Sequence, residues 1–211
     1  MNFRTVLFDL DGTIIDSNEL INVSFEYTFK QYNFNFSKEE ILEFNGPTLQ
    51  QTFQKINPGH VDAMIQTYRE FNLANHTKYV KLFPHVIETL DQLKNNNINI
   101  GIVTSKMRNA VSLGMELTGL TPYFETIITI DDVTHAKPHP EAVIKAMNQV
   151  GGEVTSTLMV GDNYHDIVAG QNAGIKTAGV AWSQKGEDLL ATYQPTYMLQ
   201  DMKDLLEIVG V

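Results

Sequence analysis

The chain has 211 residues, of which 43% are hydrophobic and 19% charged, and it contains no cysteine. Such a composition describes a globular protein with a substantial core, and it excludes disulfide frameworks, thiolate zinc sites and thiol nucleophiles. Fifteen Lys and Arg against 25 Asp and Glu give a formal charge of −10, which argues against nucleic acid or an anionic membrane as the partner.

The first element is the apolar run Val6-Leu7-Phe8, read as a buried strand near residues 5–10 and broken by Gly12. It leads directly into Asp9-Leu10-Asp11-Gly12-Thr13. Two carboxylates one residue apart at a strand end offer hard oxygen ligands for Mg²⁺ beside a carboxylate nucleophile. Taken alone, the same pair could equally be a loop cap and a turn, as Asp-Gly pairs often are.

After Asp16 the pattern is helical to about Tyr79. An apolar-rich stretch carries Leu20, Val23, Phe25, Tyr27 and Phe29, and a break follows at residues 33–37. Ser37-Lys38-Glu39-Glu40 is a capping box that opens a second helix. A Gly46-Pro47 turn precedes a third helix over 48–56, Asn57-Pro58-Gly59 is another turn, and a fourth helix is expected over about 60–76. Four helices in a row predict a small bundle, whose Phe and Tyr residues are read as its core rather than as a platform for stacking bases.

From Pro84 onward helix and strand alternate. Strands are expected over 98–104, 126–130, 157–160, 176–180 and 197–199, with helices around 85–95, 107–118, 140–149, 163–172, 184–191 and 202–208. This rhythm predicts an α/β fold, a Rossmann-like parallel sheet covered on both faces. The first strand joins that sheet, so a helical segment is inserted just after it. The predicted division is an α/β core from residues 1–14 and 80–211 and a helical cap domain over 15–79, with hinges near 14–17 and 79–84. No apolar run approaches a membrane span, and a cytoplasmic location is expected.

Polar residues of particular kinds end the strands. The second core strand ends in Thr104-Ser105-Lys106, Lys137 stands before Pro138-His139-Pro140, and TLMV ends in Gly161-Asp162-Asn163-Tyr164-His165-Asp166. Each has an ordinary explanation alone, since Thr104, Ser105 and Asn163 could be helix caps and Lys137 a solvated lysine. In order, at successive strand ends, they place acids, a hydroxyl and a lysine at one sheet edge, where ligands of open α/β sheets bind. The six histidines are read as surface residues or as residues behind the site rather than as ligands of a metal helix.

This order and spacing resemble the four motifs of the haloacid dehalogenase superfamily of phosphatases over the whole chain. The resemblance implies that Asp9 attacks phosphorus, that Asp11 serves as acid and then base, and that Thr104, Ser105 and Lys137 bind the phosphoryl group. Mg²⁺ is implied on Asp9, the Asp11 backbone carbonyl and Asp162, with Asn163 and Asp166 supporting the site. Asp166 could orient Lys137 or a metal-bound water. Within the superfamily, IVTSKMRNAV, DDVTHAKPHPE, VGDNYHDIVAGQNAGIKTAGVAW and the cap segments INPGH and YREFN are similar to pyrophosphatases of Gram-positive bacteria, with phosphoglycolate phosphatases next. That implies a small phosphorylated substrate, pyrophosphate or phosphoglycolate; a monomer without nucleic-acid or membrane partners is expected. Candidate cap residues near the substrate are Asn18 at the hinge, the loop Asn45-Gly46-Pro47-Thr48, and Arg69, Asn72, His76 and Lys78 on the last cap helix, with Lys78 better read as part of a solvated helix face. A phosphomutase and a non-catalytic phosphate-binding regulator remain the alternatives.

Overall fold

The computed structural model describes residues 3–211. The chain enters through β1 (Thr5–Phe8) and the two-residue strand β2 (Ile15–Asp16), then passes through α1 (Asn18–Gln31), α2 (Lys38–Glu43), α3 (Leu49–Ile56) and α4 (Val61–Tyr79). It returns through β3 (Lys81–Leu82) and α5 (Val86–Asn95) to β4 (Asn99–Val103), α6 (Arg108–Thr118) and β5 (Thr126–Ile128). A 3-10 turn at Ile130–Asp132 leads to α7 (Glu141–Gln149), β6 (Thr157–Gly161), α8 (Tyr164–Asn172), β7 (Lys176–Val180), α9 (Glu187–Ala191), β8 (Tyr197–Leu199) and α10 (Asp204–Val209).

Six strands form one parallel sheet in the order β5-β4-β1-β6-β7-β8. The chain winds outward from β1 through β4 to β5, then crosses to β6 and winds the other way. The reversal leaves a crevice at the carboxyl ends of β1 and β6, the usual ligand position in such sheets. Both faces of the sheet are buried, as parallel strands require. Val6, Phe8, Ile102, Val160 and Val180 pack into one core with α5, α6 and α10, whereas Leu7, Val103 and Met159 face α7 and α8 on the other side.

The helical segment has an aromatic core of its own. Phe25 stacks on Phe29 with ring centroids 5.7 Å apart, and Phe53 meets both rings edge-on at 6.0 Å. Capping boxes start two of its helices, Ser37 with Glu40 on α2 and Thr48 with Gln51 on α3.

Three local expectations differ from the structure. The hinges are an antiparallel ribbon, with Ile15 opposite Leu82 and Asp16 opposite Lys81; two residues per strand are too few to show a period. The strand expected to reach Ile130 stops at Ile128, because the Asp132 carboxylate accepts hydrogen bonds from the Thr129 N–H and hydroxyl and turns the chain. The fourth helix starts at Val61, with His60 as its cap residue, and runs to Tyr79.

Phe53 is fully buried at the centre of the aromatic cluster. Phe53→Ala is expected to lower stability by about 3–5 kcal/mol in urea denaturation, through lost burial and the cavity left behind. A loss under about 1 kcal/mol would contradict a packed helical lobe.

Candidate active site

β1 ends at Phe8, and the Asp9 N–H continues the sheet ladder by donating to the Val160 carbonyl of β6 at 2.9 Å. This bond fixes Asp9 over the crevice beside the end of β6, where Asp162 follows Gly161. Gly12 then turns the chain with φ of +82°, and a side chain there would lie 2.4 Å from the Asp162 carboxylate. Only glycine permits both the turn and that approach.

Lys137 reaches into the crevice from the loop before α7. Its Nζ donates to Asp9 Oδ1 at 2.6 Å, Asp166 Oδ1 at 2.6 Å and the Val103 carbonyl at 2.9 Å. All three ammonium protons are therefore satisfied although the side chain is buried, as a buried cation requires. Asp166 Oδ2 accepts from the Asn163 N–H at 3.0 Å, so both Asp166 oxygens are engaged. Asn163 caps α8, its side chain accepting from the His165 N–H.

Asp11 lines the same cavity but has different partners. Its Oδ1 accepts from the Lys106 ammonium at 2.7 Å and from the Ser17 hydroxyl at 2.5 Å, which links the hinge ribbon to the loop after β4. Thr104 accepts from the Lys106 N–H at 3.2 Å, and both Thr104 and Ser105 line the cavity. An anion-binding helix end does not account for Ser105, because α6 begins only at Arg108; its N–H belongs to a connecting loop.

Electrostatics separate the two aspartates at the end of β1. Burial pushes the Asp9 carboxyl up to about 7 against the pull of Lys137, with Asp166 and Asp11 adding to the rise. Burial also works upward on Asp11, but Lys106 and Ser17 outweigh it and hold this carboxyl below its ordinary value. Asp162 is raised well above its ordinary value by burial and by the charges of Asp166 and Asp9.

These residues fit a divalent cation. Asp9, Asp11, Asp162 and Asp166 place four carboxylates around two ammonium groups, those of Lys106 and Lys137, and a double positive charge balances the excess. One oxygen each from Asp9, Asp162 and Asp166 lies within 4.8 Å of the others. Lys137 and the Asn163 N–H occupy Asp166, whereas Lys137 takes only Oδ1 of Asp9. The free donors are therefore Asp9 Oδ2 and the Asp162 carboxylate, hard oxygens suited to Mg²⁺.

Above this floor lies a cavity of about 560 Å³ that the helical lobe roofs. Asn18, Gly46, Thr48, Arg69 and Asn72 all line it. Thr48 also spends its hydroxyl on capping α3. Gly46, at φ of +114°, packs so closely on Asn163 and His165 that a Cβ would meet them at 2.7–2.8 Å. The lobe is seated by amides: Asn163 donates to the Asn45 carbonyl at 3.3 Å, and Asn45 donates to Asn22 and Gln184.

Two of the cap candidates lie elsewhere. Lys78 is exposed, in keeping with its reading as a solvated-face residue, and donates to the Tyr79 hydroxyl. His76 is buried under α6, against Gly114, with neither ring nitrogen hydrogen-bonded. The reading of all histidines as surface or supporting residues fails for His76, which burial and Lys106 push down to about 4, so that it packs as a neutral ring. His165 is buried too, yet it does sit behind the site, its Nδ1 2.8 Å from Asn163 Oδ1. Ser17 and Gln184 carry no signal in the sequence, and Lys106 carries one only by position, next to Thr104-Ser105; Asn45 belongs to the candidate loop 45–48 and does line the cavity.

The family model for haloacid dehalogenase-like hydrolases matches residues 6–180. The chain belongs to the haloacid dehalogenase-like hydrolases. Its curated relatives include Pyrophosphatase PpaX of Oceanobacillus iheyensis, 57% identical over 210 residues that cover 100% of this chain and 98% of that protein. The protein of the same name from Anoxybacillus flavithermus is 51% identical over 212 residues, covering 100% and 99%. A haloacid dehalogenase-like hydrolase from Bacteroides fragilis superposes with a TM-score of 0.90 at 24% identity, covering 97% of this chain and 100% of that one. A Lactobacillus plantarum protein assigned as a phosphoglycolate phosphatase does so with a TM-score of 0.90 at 21% identity over 99% and 100%. At those identities the two structures speak for the fold, which is the haloacid dehalogenase-like one. The chain is a phosphohydrolase of this family. Among the described residues, no helix is long and apolar enough to cross a membrane.

The raised acids give metal binding a pH dependence. Between about 3.8 and about 7, the metal-free folded protein holds a proton on Asp9 that the unfolded chain has released, so its stability falls as pH rises through that window. A cation on the ionised carboxylates offsets this loss. The rise in Tm produced by Mg²⁺ is therefore expected to grow from about pH 4 to about pH 7, measured by thermal unfolding. A rise that is flat or shrinking over that range would contradict the assignment.

Proposed function

We propose that this haloacid dehalogenase-like hydrolase is a Mg²⁺-dependent pyrophosphatase that works through an aspartyl-phosphate on Asp9. The observation that carries the substrate is the full-length identity of up to 57% to proteins named Pyrophosphatase PpaX. The site supports the chemistry. Mg²⁺ would be held by Asp9, Asp162 and the Asp11 backbone carbonyl, and it supplies charge neutralisation for the phosphoryl oxygens. Lys137 holds the Asp9 carboxylate in place and keeps a positive charge beside the transferring group. Thr104, Ser105 and Lys106 face the same cavity and would donate to phosphoryl oxygens.

In the first step Asp9 attacks phosphorus, a bond forms between its oxygen and phosphorus, and the bond to the leaving phosphate breaks. In the second, water attacks the aspartyl-phosphate and its proton goes to Asp11, which regenerates Asp9 and releases the second phosphate. Asp11, held ionised by Lys106 and Ser17, is suited to the second step as a base. It is poorly suited to the first step as an acid. Pyrophosphate needs little help there because phosphate departs readily, whereas the alkoxide of glycolate requires a proton. The resting state of Asp11 thus favours pyrophosphate over phosphoglycolate.

Residues 15–79 would act as the cap, with the hinge ribbon and Ser17 coupling cap position to Asp11. Closure excludes bulk water during the first step. Arg69 and Lys106 line the cavity as cations for the second phosphoryl group. A small soluble substrate suits the enclosed cavity, and a cytoplasmic monomer suffices, because every proposed group comes from one chain.

The test is single-turnover hydrolysis of pyrophosphate and phosphoglycolate, each with Mg²⁺ or chelator. Pyrophosphate is expected to have the higher kcat/KM, and chelator to abolish turnover. Asp9→Asn should abolish both reactions, while Asp11→Asn should slow the first step far more with phosphoglycolate than with pyrophosphate. Equal first-step losses would overturn the leaving-group account, and a preference for phosphoglycolate would overturn the substrate.

A further inference from the structure

Outside the crevice, the loop that delivers Lys137 brings a second group of ligands together. His135 and His139 have the i, i+4 spacing of a metal-binding helix but lie in the loop before α7, so it is the loop and not a helical face that brings them together. Their rings lie 4.5 Å apart between centroids, tilted by 34°. Glu141, the first residue of α7, completes the group: one ligand atom from each of the three residues lies within 4.8 Å of the others.

We infer that His135, His139 and Glu141 form a second metal site, for a borderline divalent transition ion such as Zn²⁺. Two imidazoles and one carboxylate are a nitrogen-rich set that suits Zn²⁺, whereas Mg²⁺ selects the all-oxygen crevice. The donors already approach the required spacing. Zn²⁺ bonds of about 2.0–2.2 Å put neighbouring tetrahedral ligands roughly 3.3 Å apart, and His135 Nδ1 lies 3.1 Å from Glu141 Oε2. His139 would supply the third donor; its ring is exposed and one of its nitrogens, Nδ1, accepts from the Glu141 N–H at 3.3 Å.

The carboxylate is held ready by its surroundings. Glu141 accepts from the Thr134 and His135 N–H groups, each at 3.0 Å. Those bonds, that from Thr134 foremost, hold its carboxyl down to about 2 and keep it ionised. Backbone donors that orient a ligand carboxylate are the usual support of a metal centre. Lys145, 3.9 Å from Glu141 Oε1, is a like charge on the opposite oxygen and would weaken the site without blocking it. Water completes the coordination on the solvent side.

The placement gives the site a consequence. His135 and His139 flank Lys137 on either side, so an ion bridging them tethers the segment whose lysine holds Asp9 and Asp166. Binding to the folded protein alone raises its stability by mass action.

The test adds Zn²⁺ to protein already saturated with Mg²⁺, comparing the wild type with the double variant His135→Ala/His139→Ala. Calorimetry should find one Zn²⁺ per wild-type chain, with affinity at least about tenfold weaker in the variant. Zn²⁺ should raise Tm in the wild type and not in the variant. Co²⁺ used as the probe should give the intense visible absorption of a tetrahedral nitrogen-ligated ion in the wild type alone. Both exchanged side chains are exposed and outside the crevice, and phosphate release at saturating Mg²⁺ reports that the variant is folded. Absence of Zn²⁺ binding to the Mg²⁺-loaded wild type, or equal affinity in the variant, would overturn the inference.

Discussion

The Lys137 ammonium, buried between Asp9 and Asp166 at 2.6 Å from each, constrains the rest of the molecule. Removing three charges from water costs several kcal/mol per ion, so the arrangement persists only where each lone pair and proton is met. Meeting them requires that β1, β4 and β6 be adjacent, because Asp9 follows β1, the Val103 carbonyl ends β4, and Asp166 lies on the helix that leaves β6. It also requires that the loop from Val133 to Pro140 descend into the crevice, which the Glu141 carboxylate enforces by capping two of that loop's N–H groups. The strand order and the loop anchor thus serve one ion triad.

That triad leaves charge unbalanced, and the imbalance connects the site to its chemistry. Asp166 is fully engaged, Asp9 is half engaged and Asp162 is left to a cation, with Gly12 cleared of any side chain to let Asp162 approach. The protein thus builds a negative cradle whose folded state is costly without metal. Asp11 escapes this strain because Ser17 and Lys106 serve it separately. Two aspartates one residue apart therefore sit in opposite electrostatic environments, one poised for metal and nucleophilic attack and the other kept as a base.

Much of this was legible in the sequence. Alternating strands and helices gave the parallel sheet, and short strands ending in Asp9, Thr104 and Asp162 identified the edge where ligands bind. The capping box of Ser37 and Glu40 placed the start of α2 because both partners lie within one turn. Contacts across long stretches of chain were not legible. Nothing local tells Lys106 to turn toward Asp11, 95 positions earlier. The seating of Gly46 on Asn163 and the burial of His76 beneath α6 likewise depend on how the helical lobe docks, which hydrophobic periodicity does not encode. His135 and His139 show a related limit: their i, i+4 spacing is visible in the sequence, but the loop that brings their rings together is not.

The central claim is that Asp9, held by Lys137 and made reactive beside a divalent cation, takes the phosphoryl group. The most direct measurement is acid quenching of the enzyme during turnover of ³²P-labelled pyrophosphate, with peptide mapping of any labelled protein. The account predicts Mg²⁺-dependent label on the peptide containing Asp9, confined to that residue and absent from Asp9→Asn. Turnover without covalent label, or label on another residue, would contradict it.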